Sequence, residues 1–221
     1  MASGLSRRSM SQSIASRLNE SAEATTKAKK PTMVEHDDEE VAGRRPRYDV
    51  FINHRGVDTK RTVARLLYDR LAQLSGDGIR SFLDNMSMRP GDRLEERIFE
   101  AVRECSVAVA IFSPRYCDSE FCLRELAKLV EARKTIIPIF YDIKPSELIL
   151  PQAVVDSKDH LPRDIEGFRF ALREAKYTVG LCYDSATGDL AELVSAAANA
   201  VVERIEELEK VQRQQMIVSR L

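Results

Sequence analysis

The sequence has little of several features that mark specialised proteins. Among its 221 residues there is no tryptophan, only four cysteines and three histidines, and the cysteines do not have the spacing of a zinc site. No apolar run approaches the roughly 18 residues of a membrane-spanning helix, and the start lacks the apolar stretch of a secretion signal. A net charge of −1 offers no field for a nucleic-acid backbone. These absences favour a soluble cytoplasmic protein without metal or disulfides, and argue against nucleic acid or a membrane as a partner.

The composition changes sharply near residue 47. The first aromatic residue is Tyr48, and the segment before it is rich in serine and charge, with an acidic cluster at 37–40. Such a segment buries too little apolar surface to offset the entropy of ordering. We therefore predict a disordered tail over 1–46, a folded domain over 47–213 and a C-terminal tail over 214–221. Residues 1–19 have arginines, serines and no acid, as in an organelle transit peptide, but a plain flexible tail is the interpretation we favour.

Within the domain, short apolar runs alternate with segments of helical periodicity. Strands are predicted near 48–53, 79–83, 107–112, 136–141 and 178–183, and helices near 61–74, 94–104, 119–133, 168–176 and 189–213. This alternation predicts an α/β fold with a parallel sheet, specifically a flavodoxin-like, doubly wound sheet of five strands. Such folds bind ligands beyond the carboxyl ends of their strands. The loops after Asn53, Leu83 and Phe112 are therefore the candidate site.

Several common chemistries of this fold class have no support in the sequence. There is no P-loop and no Gly-x-Ser-x-Gly turn after a strand. The pair Gly76-x-Gly78 precedes a strand, whereas a dinucleotide fingerprint follows one. A phosphoacceptor receiver domain would need acidic residues where this chain has Asn53-His54-Arg55 and Ser113-Pro114.

The helix predicted over 119–133 carries the most specific signal. Its apolar stripe runs through Cys122, Leu126 and Val130, while Phe121 and Glu125 lie off that stripe, four residues apart on one flank. An aromatic ring beside a carboxylate could form a pocket for a sugar. Alternatively, Phe121 closes the start of the helix and Glu125 is a surface residue. Periodicity alone favours the second interpretation.

Three ordered motifs resemble those of plant Toll/interleukin-1 receptor (TIR) domains. They lie at 48–59 (Tyr-Asp-Val-Phe-Ile-Asn-His-Arg-Gly-Val-Asp-Thr), at 113–126 and at 137–146 (Ile-Pro-Ile-Phe-Tyr-Asp-Ile-Lys-Pro-Ser). The resemblance covers roughly 47–210 and implies a flavodoxin-like fold. Because no nucleotide-binding ATPase or leucine-rich repeats follow, the chain resembles the short TIR-only plant proteins.

The resemblance implies an enzymatic function. Many plant TIR domains are NAD⁺ nucleosidases that cleave the nicotinamide–ribose bond and make ADP-ribose-type immune signals, as cyclases or hydrolases. The family's catalytic glutamate falls on Glu125. The motif tryptophan is replaced by Phe121, which still offers a stacking face of smaller area, and His54 stands where the family has an aromatic residue. NAD⁺ is then the substrate, with no cofactor and no metal.

The remaining candidate residues lie in two loops. Arg55, Gly56, Asp58 and Thr59 form a turn that opens a helix, and its N–H groups and guanidinium suit a pyrophosphate. The plainer interpretation of Gly56 and Asp58 is a turn and a helix cap, which is compatible with this role. Arg89, in the loop after the second strand, is a further candidate, although an exposed charge explains it equally simply.

Two other functions fit the same sequence. TIR domains associate with one another, so homotypic self-association is expected, other TIR proteins are candidate partners, and a non-catalytic adaptor is the main alternative. Some family members are said to act on RNA or DNA, and the near-zero net charge argues against that function. The expected location is cytoplasmic or nucleo-cytoplasmic.

Overall fold

The computed structural model describes residues 47–74 and 79–218, apart from the side chain of Asn85. Five parallel strands form one sheet in the order β2-β1-β3-β4-β5. They are β1 (Val50–His54), β2 (Ser81–Phe82), β3 (Val107–Phe112), β4 (Thr135–Tyr141) and β5 (Leu181–Tyr183). The prediction of a doubly wound, flavodoxin-like sheet is confirmed. Strand order reverses between β1 and β3, which makes their carboxyl ends the switch point of the sheet.

Helices cover both faces of this sheet. They are α1 (Gly56–Thr59), α2 (Val63–Gln73), α3 (Asp84–Ser87), α4 (Leu94–Glu104), α5 (Glu120–Glu131), α6 (Gln152–Val155), α7 (Pro162–Tyr177) and α8 (Leu190–Val218), with short 3₁₀ turns at Tyr116–Asp118 and Pro145–Glu147. Helices α2 and α8 pack on one face, and α4, α5 and α7 pack on the other. Across the described residues, none of the helices is long and apolar enough to serve as a membrane span.

The alternation of side chains along the central strands builds the two cores. Val107, Val109 and Ile111 of β3 point toward α2 and α8, whereas Ala108 and Ala110 point toward the opposite helices. All six residues of β3 are buried, as expected for a strand covered on both faces. The sheet is therefore a rigid base from which the loops at its carboxyl edge project.

The observed elements depart from the predicted ones mainly at their ends. Helix α7 begins at Pro162 rather than near 168, because proline suits the first turn and the Asp164 side chain accepts a hydrogen bond of 3.0 Å from the Leu161 amide. Helix α8 continues to Val218, beyond the predicted end at 213. Strand β2 has only two residues because the chain turns into α3 directly after Leu83. The predicted tail over 1–46 and the Gly76–Gly78 turn lie outside the described residues.

Candidate active site

Residues that follow three neighbouring strands meet at the switch point of the sheet. Asn53 and His54 end β1, Asp84 follows β2, and Ser113 follows β3. The imidazole Nε2 of His54 lies 3.8 Å from Asp84 Oδ1, and Ser113 Oγ donates a 2.6 Å hydrogen bond to Asp58. The three loops that the sequence singled out, after Asn53, Leu83 and Phe112, therefore do come together.

Glu125 is held against this edge by helix α5. The helix begins after Ser119, whose hydroxyl oxygen accepts from the Cys122 amide at 3.4 Å, and its buried stripe includes Cys122 and Leu126. Glu125 lies off that stripe, as predicted, and is half-buried. Its Oε2 accepts a 2.8 Å hydrogen bond from the Asn53 side-chain amide. The carboxylate is thus a fixed group at the end of β1 rather than a free surface charge.

The environment of Glu125 changes its acidity. Burial is the main cause that raises the pKa of Glu125 from 4.5 to about 7, and the nearby charge of Asp84 raises it further. The hydrogen bond from Asn53 and the charge of Lys128 lower the pKa and partly offset those causes. A carboxyl group at a sheet edge with a pKa near neutrality is typical of groups that act in catalysis.

Asn53 is itself completely buried and fully bonded. Besides the bond to Glu125, its Nδ2 donates to the Cys122 carbonyl at 3.3 Å, and its Oδ1 accepts from the Tyr116 hydroxyl. Tyr116 is also inaccessible to solvent and its hydroxyl lies 3.1 Å from the same Cys122 carbonyl oxygen. Neither Asn53 nor Tyr116 was among the site residues predicted from the sequence. The available signal was an amide side chain inside an otherwise apolar strand, which must find partners once it is buried.

The turn after β1 forms a second polar group, next to His54. Arg55 Nη1 lies 2.7 Å from Asp58 Oδ1, so the guanidinium is already paired with a carboxylate of its own turn. Thr59 is fully buried; its hydroxyl lies 3.2 Å from His54 Nδ1 and bonds to the Arg55 carbonyl at 3.3 Å. A Cβ on Gly56 would make only ordinary contacts, 3.8 Å or more from its neighbours. Arg55, Asp58 and Thr59 are thus joined in one network, in which Thr59 positions His54.

Phe121 and Glu125 share a groove on the surface of α5. The groove has a volume of about 850 Å³ and lies between α5 and its neighbours α4 and α7. Its lining includes Phe121, Glu125 and Lys128 of α5 together with Arg163 and Phe170 of α7. Phe121 is 59% exposed, so its side chain is accessible to a ligand. We call this feature the α5 groove.

Arg89 lies apart from these groups on the loop that follows α3. It is exposed, and its backbone amide donates a 2.9 Å hydrogen bond to Asp92 within the same loop. Gly91 in this loop has a φ of +99°, a conformation that favours glycine. These contacts do not test the binding role predicted for Arg89, so that role stays a prediction. Among the described residues, no group of three or more His, Cys, Asp or Glu side chains could hold a metal ion.

Comparisons with known proteins agree with this architecture and with the sequence motifs. The family model described as TIR domain matches residues 47–217. The chain is 69% identical over 227 aligned positions to a Brachypodium distachyon protein named "Probable 2' cyclic ADP-D-ribose synthase BdTIR", covering 99% of both chains. It is 34% identical to the TMV resistance protein N of Nicotiana glutinosa, over 61% of this chain and 13% of that protein.

A solved structure extends the agreement to three dimensions. The TIR domains of the activated Roq1 resistosome superpose with a TM-score of 0.59 at 26% identity, over 70% of this chain and 99% of the other. The resemblance noted in the three sequence motifs is thereby confirmed. The chain belongs to the TIR domain family.

Proposed function

We propose that the protein is an NAD⁺ nucleosidase that acts as an ADP-ribosyl cyclase or hydrolase and makes ADP-ribose-type signals in plant defence. The observation that carries this proposal is the carboxylate of Glu125, which is held at 2.8 Å by Asn53 at the carboxyl edge of the sheet and shares the α5 groove with Phe121. A relative that matches 99% of the chain and is named a cyclic ADP-ribose synthase supports the same chemistry.

One carboxylate suffices for this reaction. When the bond between the pyridinium nitrogen and the ribose breaks, nicotinamide departs as a neutral molecule and needs no proton. The enzyme therefore does not require the paired carboxylates of ordinary glycosidases. Glu125 holds the ribose hydroxyls and stabilises the positive charge that develops on the sugar. Water that captures this cation gives ADP-ribose, whereas capture by a hydroxyl or ring nitrogen of the same substrate gives a cyclic product.

The charge state of Glu125 links the site to pH. With a pKa of about 7, a substantial fraction of the free enzyme carries a protonated Glu125 at neutral pH. The positive charge of the nicotinamide ring favours the ionised form when the substrate binds, because an opposite charge nearby lowers a carboxyl pKa. NAD⁺ therefore binds more tightly when Glu125 is ionised, and its binding in turn favours the ionised form of Glu125.

The other predicted residues are assigned to binding. Phe121 stacks on a flat ring of the substrate in the α5 groove. Arg55 uses the guanidinium donors that its 2.7 Å pairing with Asp58 leaves available to hold the pyrophosphate, and Gly56 leaves the backbone there uncovered by a side chain. Thr59 supports this turn from the interior, and Arg89 approaches from its exposed loop.

The wider setting of the reaction is also part of the proposal. NAD⁺ is the substrate and no cofactor or metal takes part. Homotypic self-association, and association with other TIR proteins, brings the loop over 84–94 onto the bound substrate. Similarity to the TIR domains of a resistosome supports such assembly. The location is cytoplasmic or nucleo-cytoplasmic.

The test is release of nicotinamide from NAD⁺, measured by chromatography, with the nucleotide products identified by mass spectrometry. Glu125→Gln is expected to lower the rate by at least about 100-fold, the usual cost of removing one positioned catalytic charge. Glu206→Gln, at an exposed position on α8 and outside the α5 groove, is the control and should retain the wild-type rate. Equal turnover by the Glu125 variant would refute its role. A wild type that releases no nicotinamide even at high protein concentration would support the adaptor function instead.

A further inference from the structure

We infer that Asn53 is a positioning residue that holds Glu125 in one orientation, and that the Tyr116 hydroxyl supports the Asn53 amide from behind. This inference rests on the proposed function, since it states how the carboxylate that cleaves NAD⁺ is held. Asn53 and Tyr116 are 63 positions apart in sequence but both are completely buried beside Glu125.

The hydrogen-bond partners define the orientation of the amide. On one side of Asn53 lie two acceptors, Glu125 Oε2 at 2.8 Å and the Cys122 carbonyl oxygen at 3.3 Å, and these suit the two hydrogens of the amide nitrogen. On the other side lies the Tyr116 hydroxyl, which donates to Oδ1. A rotated amide would place its oxygen against the carboxylate, and Glu125 would lose its donor. The carboxylate therefore selects the orientation in which Asn53 donates to Glu125, and the Tyr116 hydroxyl bonds to the amide oxygen in that orientation.

Tyr116 is suited to this task because its environment keeps it protonated. Burial, together with the nearby Cys122 and Glu125, raises the pKa of Tyr116 well above its ordinary value of 10.0. Its ring packs edge-on against Phe112 at the end of β3, with the ring centroids 4.7 Å apart. A rigid, permanently protonated donor thus stands behind Asn53, as a positioning group requires.

The network leaves one oxygen of Glu125 for the substrate. Oε2 is engaged by Asn53, so Oε1 is the oxygen that would meet the ribose. The other titratable or charged groups that act on Glu125 are Asp84 after β2, which raises its pKa, and Lys128 on α5, which lowers it. Both are charge effects on the pKa, whereas Asn53 donates a hydrogen bond of 2.8 Å to the carboxylate.

The test combines a direct titration of Glu125 with enzyme kinetics on the full-length protein. The carboxyl carbon of Glu125 is followed by ¹³C NMR from pH 5 to pH 9, with the signal assigned by its loss in Glu125→Gln. The variants are Asn53→Leu, which removes the amide at similar volume, and Tyr116→Phe, which removes only the hydroxyl. Tyr48→Phe is the matched control, because Tyr48 is also buried and this variant loses the 3.0 Å hydrogen bond that Arg97 donates to the Tyr48 hydroxyl near the opposite end of β1.

We expect Asn53→Leu to raise the pKa of Glu125 by about one, since the lost bond favours the ionised form. Tyr116→Phe should raise it by a smaller amount, and Tyr48→Phe should leave it unchanged. With NAD⁺ at a pH where Glu125 is fully ionised, kcat should fall about tenfold in Asn53→Leu while KM changes little, because a misplaced carboxylate weakens the transition state more than the bound substrate.

Each outcome decides a separate point. If neither folded variant changes the pKa of Glu125, the inference is wrong. If Asn53→Leu does not fold, Tyr116→Phe alone decides, and wild-type values for both its pKa and its kcat overturn the inference. A changed pKa with an unchanged kcat overturns the orienting role. If the pKa changes as expected but wild type releases no nicotinamide, Asn53 still positions Glu125 and the proposed function is what fails.

Discussion

Replacing Glu125 by glutamine should stabilise the protein, and only at neutral and alkaline pH. The carboxyl group has a pKa of about 7 in the folded protein against an ordinary value of 4.5. The folded state therefore binds the proton more tightly than the unfolded state. The resulting stabilisation is fully present below pH 4.5 and is lost as the pH rises through 7. Wild type at pH 8 or above thus has a buried negative charge that the unfolded chain would expose to water.

The size of the effect follows from the difference between the two pKa values. A difference of one corresponds to 1.36 kcal/mol, so the values above give a cost of about 3 kcal/mol at pH 8.5. Glutamine is uncharged at every pH and can still accept the hydrogen bond from Asn53. For a domain of this size, 1 kcal/mol changes the melting temperature by roughly 2–4 °C. Glu125→Gln should therefore melt about 6–12 °C above wild type at pH 8.5, and within about 2 °C of it near pH 5.

The measurement is thermal unfolding followed by circular dichroism at intervals between pH 5 and pH 9. Glu206→Gln is the control, because this glutamate is exposed on α8, away from the α5 groove, and its difference from wild type should not vary with pH. Titrating groups that do not interact with Glu125 are common to all three proteins and cancel in the comparison. A stability difference that is the same at pH 5 and pH 8.5 would refute the reasoning, since it would show that the Glu125 charge is not desolvated in the folded state.

Three further outcomes are expected. With NAD⁺ as substrate, kcat/KM should rise with pH through an apparent pKa near 7, which is the pKa of Glu125 in the free enzyme. A flat profile between pH 5.5 and 8.5 would contradict the need for the ionised form of Glu125. Phe121→Ala should lower kcat/KM about fivefold, because a stacking contact is worth about 1 kcal/mol, and should not change the melting temperature, because Phe121 is 59% exposed. Phe121→Trp should lower KM. An unchanged KM and kcat/KM in both variants would exclude a stacking role. Specific activity should increase with protein concentration if assembly closes the site, and activity strictly proportional to concentration over a 100-fold range would argue against that.

The parts of the fold that the sequence predicts well are those with continuous local patterns. Strand β3 and helix α4 have the predicted bounds, because an uninterrupted apolar run and a clear helical period need no tertiary information. The start of α7 was missed since its first turn is Pro162-Arg163-Asp164, which looks like loop composition until Ile165 is seen to be buried. Strand β2 was predicted too long because its pairing with β1 covers only two residues, and pairing partners are not visible in one sequence.

The candidate site likewise has one part that local sequence patterns predict and another that depends on the tertiary fold. The shared flank of Phe121 and Glu125 follows from helical spacing, so the sequence could predict it. The contact between Asn53 and Glu125 joins positions 72 residues apart and depends on how α5 crosses the end of β1. The sequence predicted Arg55 as a binding residue, but composition cannot show that its guanidinium is paired with Asp58.

The burial that makes Glu125 costly to ionise is also what would make its charge effective. In water, a carboxylate exerts little stabilisation on a neighbouring cation, because the solvent screens it, whereas at a partly dehydrated edge the same charge acts strongly. Asn53 is completely buried and stays bonded to Glu125 without the reorganisation that solvent would need. A surface glutamate selected only for solubility would have neither the raised pKa nor the buried donor behind it. One arrangement therefore has two consequences: it lowers the stability of the protein at pH 8.5, and it gives Glu125 the proposed ability to stabilise a ribosyl cation. A variant that abolishes the loss of stability should also abolish the stabilisation of the cation.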